Sequence, residues 1–378
     1  MWRLSALAAL TACSGPDGPA EPDDTAPSVA EGCDGAALRA ADPDPAAPGP
    51  WAVGARTVAI GRLTVEVWYP VAPADAQGAP PVDYDIREAL PASQRDLIGD
   101  AVAPHQICDC SRDLPLDEGF GPYPVAVFVH GTAGWRTQSL STMTHWASRG
   151  FVVLAADHPG LWLADALTPL CPDDEPTGEL DLLGDADAVI AAVTAADGDL
   201  AFLAGHVDAT RIAVAGHSAG GGAAAALSDR PHVRAALSLS AGNPTSAGPD
   251  LQASLFLGGL DDGVVPYEAV TSGYEGSPAP KGLVGIADSG HLAPSDICDI
   301  VNDAGEDILT IATDAGVCGA FAAGFLFDCD PAFLDAATTH SIVDAATSSV
   351  LESALQCQDR PLDALAAAYP DVAELRTE

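Results

Sequence analysis

The stretch from Ile212 to Gly222 constrains the fold of this chain more than any other. Residues 212–215 are apolar, as in a buried strand, and the alanine-rich run 223–227 is typical of a helix. Between them lies Gly-His-Ser-Ala-Gly, a G-x-S-x-G pattern with Ser218 at its centre. This order predicts a strand, a sharp turn that admits only small residues, and a helix that begins beneath Ser218. The alternative is a glycine-rich helix start that only packs against its sheet.

Apolar runs alternate with helical stretches along most of the chain. The runs expected to be strands are 125–129, 151–156, 212–217, 233–240, 253–258 and 281–287, and helices are expected at about 86–99, 139–149 and 178–196. Strands that are nearly all apolar indicate a mostly parallel central sheet with helices on both faces, which is the α/β class. Residues 57–60 and 63–69 predict an N-terminal antiparallel hairpin that turns at Gly61-Arg62.

The N-terminus differs from the rest. Residues 1–12 contain Arg3 and a short apolar run, and Leu-Thr-Ala-Cys13 resembles the lipobox of a bacterial lipoprotein signal. This predicts a signal peptide at 1–12, lipidation of Cys13, and export to the periplasm or outer-membrane surface. Residues 13–50 are rich in Pro, Ala, Gly and Asp, which predicts a flexible tether. A catalytic domain is expected at 51–378, with a helical insertion at about 292–338.

Cysteine usage fits an exported protein. Without Cys13, eight cysteines remain, at 33, 108, 110, 171, 298, 318, 329 and 357. An even set predicts up to four disulfides, whose pairing the sequence leaves open. Cys108-Asp-Cys110 also invites zinc, but the spacing is C-x-C and no second close pair follows, so we expect no metal.

The charge balance bears on partners. Fifteen Lys plus Arg face 54 Asp plus Glu, a net charge of −39. Such a surface repels nucleic acid and anionic lipid, so neither is expected as a partner. A solvated acidic shell accounts for the charge without a specific function.

A serine nucleophile needs a base, and the base needs an acid that orients it. Behind a G-x-S-x-G turn these follow in the order Ser, acid, His. The first acids at a strand end after Ser218 are Asp261 and Asp262, and either also suits a helix cap. Three histidines lie downstream of Ser218: His232, His291 and His340. His291 follows the last apolar run and is the expected base, since His232 precedes the acid and His340 lies in a helical stretch.

An oxyanion hole requires two backbone N–H groups. The expected donors are Ala219, next after Ser218, and Thr132, in the turn that follows the strand ending at Val129. Four neighbours of these donors are candidates to line the substrate site: His130, Gly131, Ala133 and His217.

Five motifs together resemble the α/β-hydrolase superfamily. They are His130-Gly-Thr-Ala-Gly, Asp157-His-Pro-Gly, Gly216-His-Ser-Ala-Gly-Gly-Gly, Gly-Leu-Asp-Asp262 and Ser289-Gly-His291. The most similar groups are predicted dienelactone hydrolases, platelet-activating-factor acetylhydrolase-like enzymes and bacterial cutinase-like polyesterases, over about 51–357. The resemblance implies Asp262 as the triad acid, because members commonly show Asp, three residues, then Pro. The chain departs from it at Ser218, where dienelactone hydrolases have cysteine, and at Thr132, where polyesterases usually have an aromatic residue.

These observations predict an exported, monomeric serine esterase or lipase without a cofactor. Its triad would be Ser218, Asp262 and His291, and its substrate a small neutral ester or a lipid. An acyltransferase or peptidase would use the same triad. A non-catalytic, surface-anchored binding protein that keeps the fold is the alternative from another class.

Overall fold

The folded part begins earlier than the sequence predicts. The computed structural model describes residues 28–378, so the predicted signal peptide, Cys13 and residues 13–27 of the predicted tether lie outside the described residues. From residue 28 onward the expected tether is instead part of the fold. Cys33 forms a disulfide with Cys357, and the buried Arg149 guanidinium donates hydrogen bonds to the carbonyls of Asp42 and Ala47 at 3.1 and 2.6 Å. A cross-link and carbonyl contacts of this kind leave no apolar periodicity in the sequence.

The strands and helices follow one another in an α/β order. The strands are β1 Val29–Glu31, β2 Ala37–Arg39, β3 Ala52–Ile60, β4 Leu63–Val71, β5 Val82–Asp85, β6 His105–Cys108, β7 Ser111–Arg112, β8 Tyr123–Val129, β9 Val152–Ala156, β10 Val207–His217, β11 Val233–Leu239, β12 Ala253–Gly259, β13 Lys281–Ile286 and β14 Val372–Thr377. The α-helices are α1 Leu140–Ser148, α2 Leu163–Leu167, α3 Leu182–Ala195, α4 Ala219–Leu227, α5 Tyr267–Gly276, α6 Ile308–Asp314, α7 Ala320–Ala323, α8 Ala336–Gln356 and α9 Leu365–Ala368. None of the helices within residues 28–378 is both long and apolar enough to cross a membrane.

The central sheet has ten strands in the order β14-β13-β12-β11-β10-β8-β9-β4-β3-β7. The six strands from β13 to β9 are parallel to one another, and β3 and β4 form the antiparallel hairpin that turns at Gly61-Arg62. Both features of the fold prediction are confirmed. Because the six strands are parallel, their carboxyl ends meet at one edge, and this edge carries Ser218, Asp262 and His291.

Two apolar layers cover the sheet. Side chains of a strand alternate between faces, so Ala126 and Phe128 of β8 pack with α1 and α8, whereas Val125 and Val127 pack with α3 and α4. On the first face the Trp146 indole of α1 also donates a hydrogen bond to Thr347 Oγ1 of α8 at 3.0 Å. Helices therefore lie on both faces, as predicted.

The structure differs from the sequence prediction in two places. The helix expected at 86–99 is two short 3₁₀ segments, Ile86–Ala89 and Ala92–Leu97, because Pro91 interrupts the hydrogen-bond ladder between them. The C-terminal strand β14, which pairs antiparallel with β13 at the edge of the sheet, is not among the predicted strands. The mixed sequence Val-Ala-Glu-Leu-Arg-Thr of β14 carries no strong strand pattern.

The eight cysteines that follow Cys13 form four disulfides. Cys108 is bonded to Cys110, so the pair that invites zinc is oxidised. The segment expected as a helical insertion contains α6 and α7, and two disulfides hold it. Cys298–Cys329 closes the segment on itself, and Cys171–Cys318 ties it to the residues that follow α2.

Candidate active site

Ser218 occupies a strained turn at the carboxyl end of β10. Its φ is 56° and its ψ is −118°, a backbone conformation that residues with a side chain rarely adopt. Its N–H donates a hydrogen bond to Leu239 O at 2.8 Å. Two glycines make the turn possible. A Cβ at Gly216 would lie 2.3 Å from Gly220 O, and one at Gly220 would lie 2.0 Å from Val129 O. The turn lifts Ser218 to a partly exposed position at the start of α4.

Asp262 follows β12 and has two tasks. Its Oδ2 accepts a hydrogen bond from His291 Nδ1 at 2.8 Å. Its Oδ1 accepts from the N–H groups of Val264 and Val265 at 2.8 and 2.7 Å, which fixes the turn that holds it. The Asp262 side chain is fully buried, whereas Asp261 is exposed. Of the two candidate acids, the structure therefore brings Asp262 to the histidine.

His291 lies in the loop after β13, with a side chain 3% exposed. Since Nδ1 is engaged with Asp262, the Nε2 atom is left as the proton acceptor of the ring. The other downstream histidines lie elsewhere. His232 is exposed, and its Nδ1 lies 3.9 Å from Asp250 Oδ2. His340 is on α8, and its Nε2 lies 3.4 Å from Asp299 Oδ2.

His217, the residue before Ser218, contacts His291. His217 Nε2 hydrogen bonds to the backbone carbonyl of His291 at 2.8 Å, and the two imidazole rings lie 4.6 Å apart between centroids. The turn that carries Ser218 and the loop that carries His291 (the histidine loop) are thus joined directly. Asp262 and His291 are hydrogen bonded to each other, and His217, the residue before Ser218, contacts His291, so the three predicted residues lie at the same edge of the sheet. Within residues 28–378 no hydrogen bond joins the Ser218 hydroxyl to His291.

The turn after β8 lies against Ser218. A Cβ at Gly131 would lie 3.2 Å from Ser218 Cβ and 2.9 Å from His217 Nδ1, so only glycine permits this approach. Ala133 has a φ of 59°, and its N–H donates to Leu161 O at 2.9 Å. Across the part of the chain that the structure describes, the N–H groups of Thr132 and Ala219 have no hydrogen-bond acceptor. Both remain available to an oxyanion.

His130 and His217 are buried, 1% and 3% exposed. Burial lowers the pKa of each imidazole to about 3, and a neighbouring imidazole, His158 or His291 respectively, acts in the same direction. His130 Nε2 accepts the N–H of His158 at 3.1 Å, which requires the neutral ring. Gly131 and Ala133 are buried as well. His130, Ala133 and His217 therefore present no side chain to solvent in this structure, and the role of these four residues in lining a substrate site stays a prediction.

Sequence reasoning missed Asp328. Its Oδ2 accepts the backbone N–H of His291 at 2.7 Å, and its Oδ1 is buried without a partner among residues 28–378. Burial raises the pKa of this carboxyl, although the His291 N–H acts in the opposite direction. A Cβ at Gly290 would lie 2.6 Å from Asp328 Oδ2, so a larger residue beside His291 would displace this carboxylate. Asp328 stands in a stretch without a motif, and no local signal marks it.

A second missed residue is Gln138. Its Oε1 accepts the N–H of Gly131 at 3.0 Å, and its backbone carbonyl accepts the N–H of Asp296. It thereby holds the turn that carries Thr132. No group of three or more His, Cys, Asp or Glu residues with metal-binding geometry exists within the described range.

Comparison with known proteins agrees with this fold. The family model for platelet-activating factor acetylhydrolase, isoform II, matches residues 45–161, which include the turn after β8 but not Ser218. No curated protein matches the chain. A solved structure of ferulic acid esterase from Streptomyces cinnamoneus superimposes with a TM-score of 0.54 at 21% identity, covering 88% of this chain and 98% of that one. The chain therefore has the fold of that esterase structure, and its residues 45–161 are similar to the platelet-activating factor acetylhydrolase family.

Proposed function

We propose that this protein is an exported serine hydrolase that cleaves neutral carboxylic esters. The observation that carries the proposal is the hydrogen-bonded pair Asp262–His291 beside a serine held in a strained turn at the end of β10. The matches to an acetylhydrolase family and to the fold of a ferulic acid esterase support an ester as the bond that is cleaved.

The proposed reaction has two halves. His291 Nε2 takes the proton of the Ser218 hydroxyl as the oxygen attacks the ester carbonyl, and Asp262 stabilises the imidazolium that forms. The N–H groups of Thr132 and Ala219 donate to the oxyanion of the tetrahedral intermediate. The intermediate collapses to an acyl-enzyme and releases the alcohol, which carries the proton from His291. Water, deprotonated by the same imidazole, then releases the acid and restores Ser218.

Charge and oxidation state support the finer parts of the proposal. A net charge of −39 disfavours anionic substrates through long-range repulsion, so a neutral ester is the expected class. Four disulfides are typical of a protein that folds in an oxidising compartment, which supports export.

The experiment is labelling with a fluorophosphonate probe followed by peptide mass spectrometry. We expect one adduct, on Ser218, that heat denaturation of the protein before labelling abolishes. Absence of label on the native protein would favour the non-catalytic binding protein. An acyltransferase would be favoured if the probe labels Ser218 and if, in a separate assay with an ester, the acyl group passes to an added alcohol or amine faster than to water.

A further inference from the structure

Gln138 is buried inside the turn that carries Thr132. It is 1% exposed, and its Oε1 accepts the N–H of Gly131 at 3.0 Å. A Cβ at Gly134 would lie 2.1 Å from the same oxygen, so the turn closes around this carboxamide and glycine at 134 leaves room for it. Reversal of the amide would set its NH₂ group against the N–H of Gly131, a contact between two donors. The oxygen is therefore the atom that faces the turn.

The two peptide units that precede Thr132 are both held by hydrogen bonds. Gln138 binds the N–H of the first, between His130 and Gly131. Gly131 O, in the second, accepts hydrogen bonds from His130 Nδ1 at 2.8 Å and from the N–H of Gly134 at 3.0 Å. This second peptide is trans, and the C=O and N–H of a trans peptide point in opposite directions in one plane. The direction of Gly131 O therefore sets the direction of the Thr132 N–H, the proposed oxyanion donor.

The backbone of Gln138 is bound to the segment that follows His291. Its carbonyl accepts the N–H of Asp296 at 2.9 Å and the hydroxyl of Ser295 at 3.1 Å. The contact continues at the start of α1, where Ser141 donates its N–H to Asp296 Oδ2 at 2.8 Å. Gln138 therefore holds the turn with its side chain and the segment after the proposed base with its carbonyl, so the two parts of the site share one support.

The amide nitrogen of Gln138 is buried without a partner. Within residues 28–378 its Nε2 makes no hydrogen bond, and burial of an unpaired donor opposes folding. An apolar side chain of the same length would avoid this cost, but it would offer no acceptor to the N–H of Gly131. A residue that breaks a rule of folding in this way is expected where the site requires it. The carboxamide therefore serves the geometry of the turn more than the stability of the fold.

We infer that Gln138 is the positioning residue of the oxyanion hole, an inference that rests on the proposed function. Its carboxamide holds Gly131 so that the N–H of Thr132 points to the oxyanion position before a substrate arrives. Donors that are fixed in advance need no rearrangement during the reaction, and this is the source of their contribution to the rate. Loss of the acceptor should therefore weaken the binding of the tetrahedral intermediate, while the ester in its ground state binds as before.

The test is Gln138→Met in the full protein, with p-nitrophenyl butyrate as the substrate and butylboronic acid, which forms a tetrahedral adduct with an active serine, as the inhibitor. We expect kcat to fall about 10- to 100-fold with KM within about twofold of wild type, since the oxyanion donor is misaligned and not removed. The inhibition constant of the boronic acid should rise by about the same factor. The urea midpoint of unfolding should stay close to wild type, because the variant loses one hydrogen bond and one unpaired buried donor together.

Gln356→Met is the matched control. Gln356 is 3% exposed, and its Nε2 donates to Arg149 O at 2.9 Å, ahead of β9 and so at the edge of the sheet opposite the site. This variant should unfold at lower urea, while its kcat and inhibition constant stay within about twofold of wild type. If Gln138→Met does not fold, Gly134→Ala tests the same contact, because its Cβ displaces the carboxamide. Its kcat should fall by a similar factor with KM unchanged.

A wild-type kcat and inhibition constant in Gln138→Met would overturn the inference. So would an equal loss of kcat in Gln356→Met, because the effect would then not be specific to the turn. If turnover by the wild-type protein depends on Ser218 in these cases, the proposed function survives and the assignment of Gln138 alone fails. If the wild-type protein hydrolyses no ester, the proposed function fails and the inference fails with it.

Discussion

Asp262 binds His291 Nδ1 with one carboxylate oxygen and fixes its own turn with the other. A carboxylate with both oxygens engaged cannot rotate away from the ring. It therefore fixes the orientation of the imidazole and the tautomer that leaves Nε2 as an acceptor. These two sets of hydrogen bonds distinguish Asp262 from its neighbour Asp261, whose side chain is exposed.

Asp262→Asn should lower kcat by about 10³- to 10⁴-fold, because an amide nitrogen facing Nδ1 favours the tautomer with its proton on Nε2. Steady-state hydrolysis of p-nitrophenyl butyrate measures this loss. Asp261→Asn is the matched control, since the Asp261 side chain is exposed, and its kcat should stay within about twofold of wild type. Equal losses in the two variants would contradict the assignment.

Removal of the Asp328 carboxylate should loosen the histidine loop. Asp328→Ala leaves the His291 N–H without its acceptor, so the free energy of unfolding should fall by about 1–3 kcal/mol and kcat by about tenfold. Asp328→Asn retains an oxygen acceptor and should recover most of both. Urea unfolding and ester turnover check the pair of variants. If Asp328→Asn is as impaired as Asp328→Ala, the contact with His291 is not what matters.

Acid should destabilise the protein through its buried histidines. His130 and His217 have a folded-state pKa of about 3 against 6.5 for an unperturbed histidine. Between these values the unfolded chain binds more protons than the folded protein, so the free energy of unfolding rises with pH. The contribution of the two neutral histidines to stability is lost as the pH falls below about 6.5. Each histidine contributes a loss of about 2 kcal/mol between pH 6.5 and pH 5.

His217→Gln should flatten this pH dependence by about 1.4 kcal/mol per pH unit, measured by urea unfolding between pH 5 and pH 6.5. The exposed His232 provides the control, and His232→Gln should keep the wild-type slope. The same slope in wild type and in His217→Gln would show that His217 is not held neutral.

The Cys298–Cys329 disulfide should contribute more than Cys108–Cys110. It joins residues 31 positions apart, against two, so the entropic stabilisation is about 4 kcal/mol against about 1–2 kcal/mol. It also holds Asp328, the neighbour of Cys329, against His291. The double serine variant of Cys298 and Cys329 should therefore lose stability and activity, whereas that of Cys108 and Cys110 should lose little activity. Equal activity of the two double variants would show that the Cys298–Cys329 disulfide is not needed to hold Asp328 against His291.

Local patterns predicted most of the sheet. The apolar runs that became β8 to β13 are buried on both faces, so burial alone makes their sequence distinctive. The glycines around Ser218 are required because an added Cβ would come as close as 2.0 Å to a backbone atom, and a steric demand of that size shows in the sequence. The order of Ser218, Asp262 and His291 follows from the parallel topology, which sets the strand ends along one edge.

Contacts between distant segments escaped prediction. Asp328 reaches His291 from 37 residues away, and Cys33 reaches Cys357 across 324 residues. Neither contact produces a periodicity or a motif around the residues that make it. Residues 28–50 were misassigned for the same reason, since carbonyl groups that bind Arg149 belong to every residue type.

The most direct test of the account is Ser218→Ala, compared with Ser348→Ala in the hydrolysis of p-nitrophenyl butyrate. Ser348 on α8 is a buried serine whose hydroxyl lacks a partner within residues 28–378, so its removal should leave turnover unchanged. Ser218→Ala should lower kcat by about 10⁴-fold or more while the variant unfolds like the wild type. Turnover by Ser218→Ala within tenfold of wild type would contradict the central claim that Ser218 is the nucleophile.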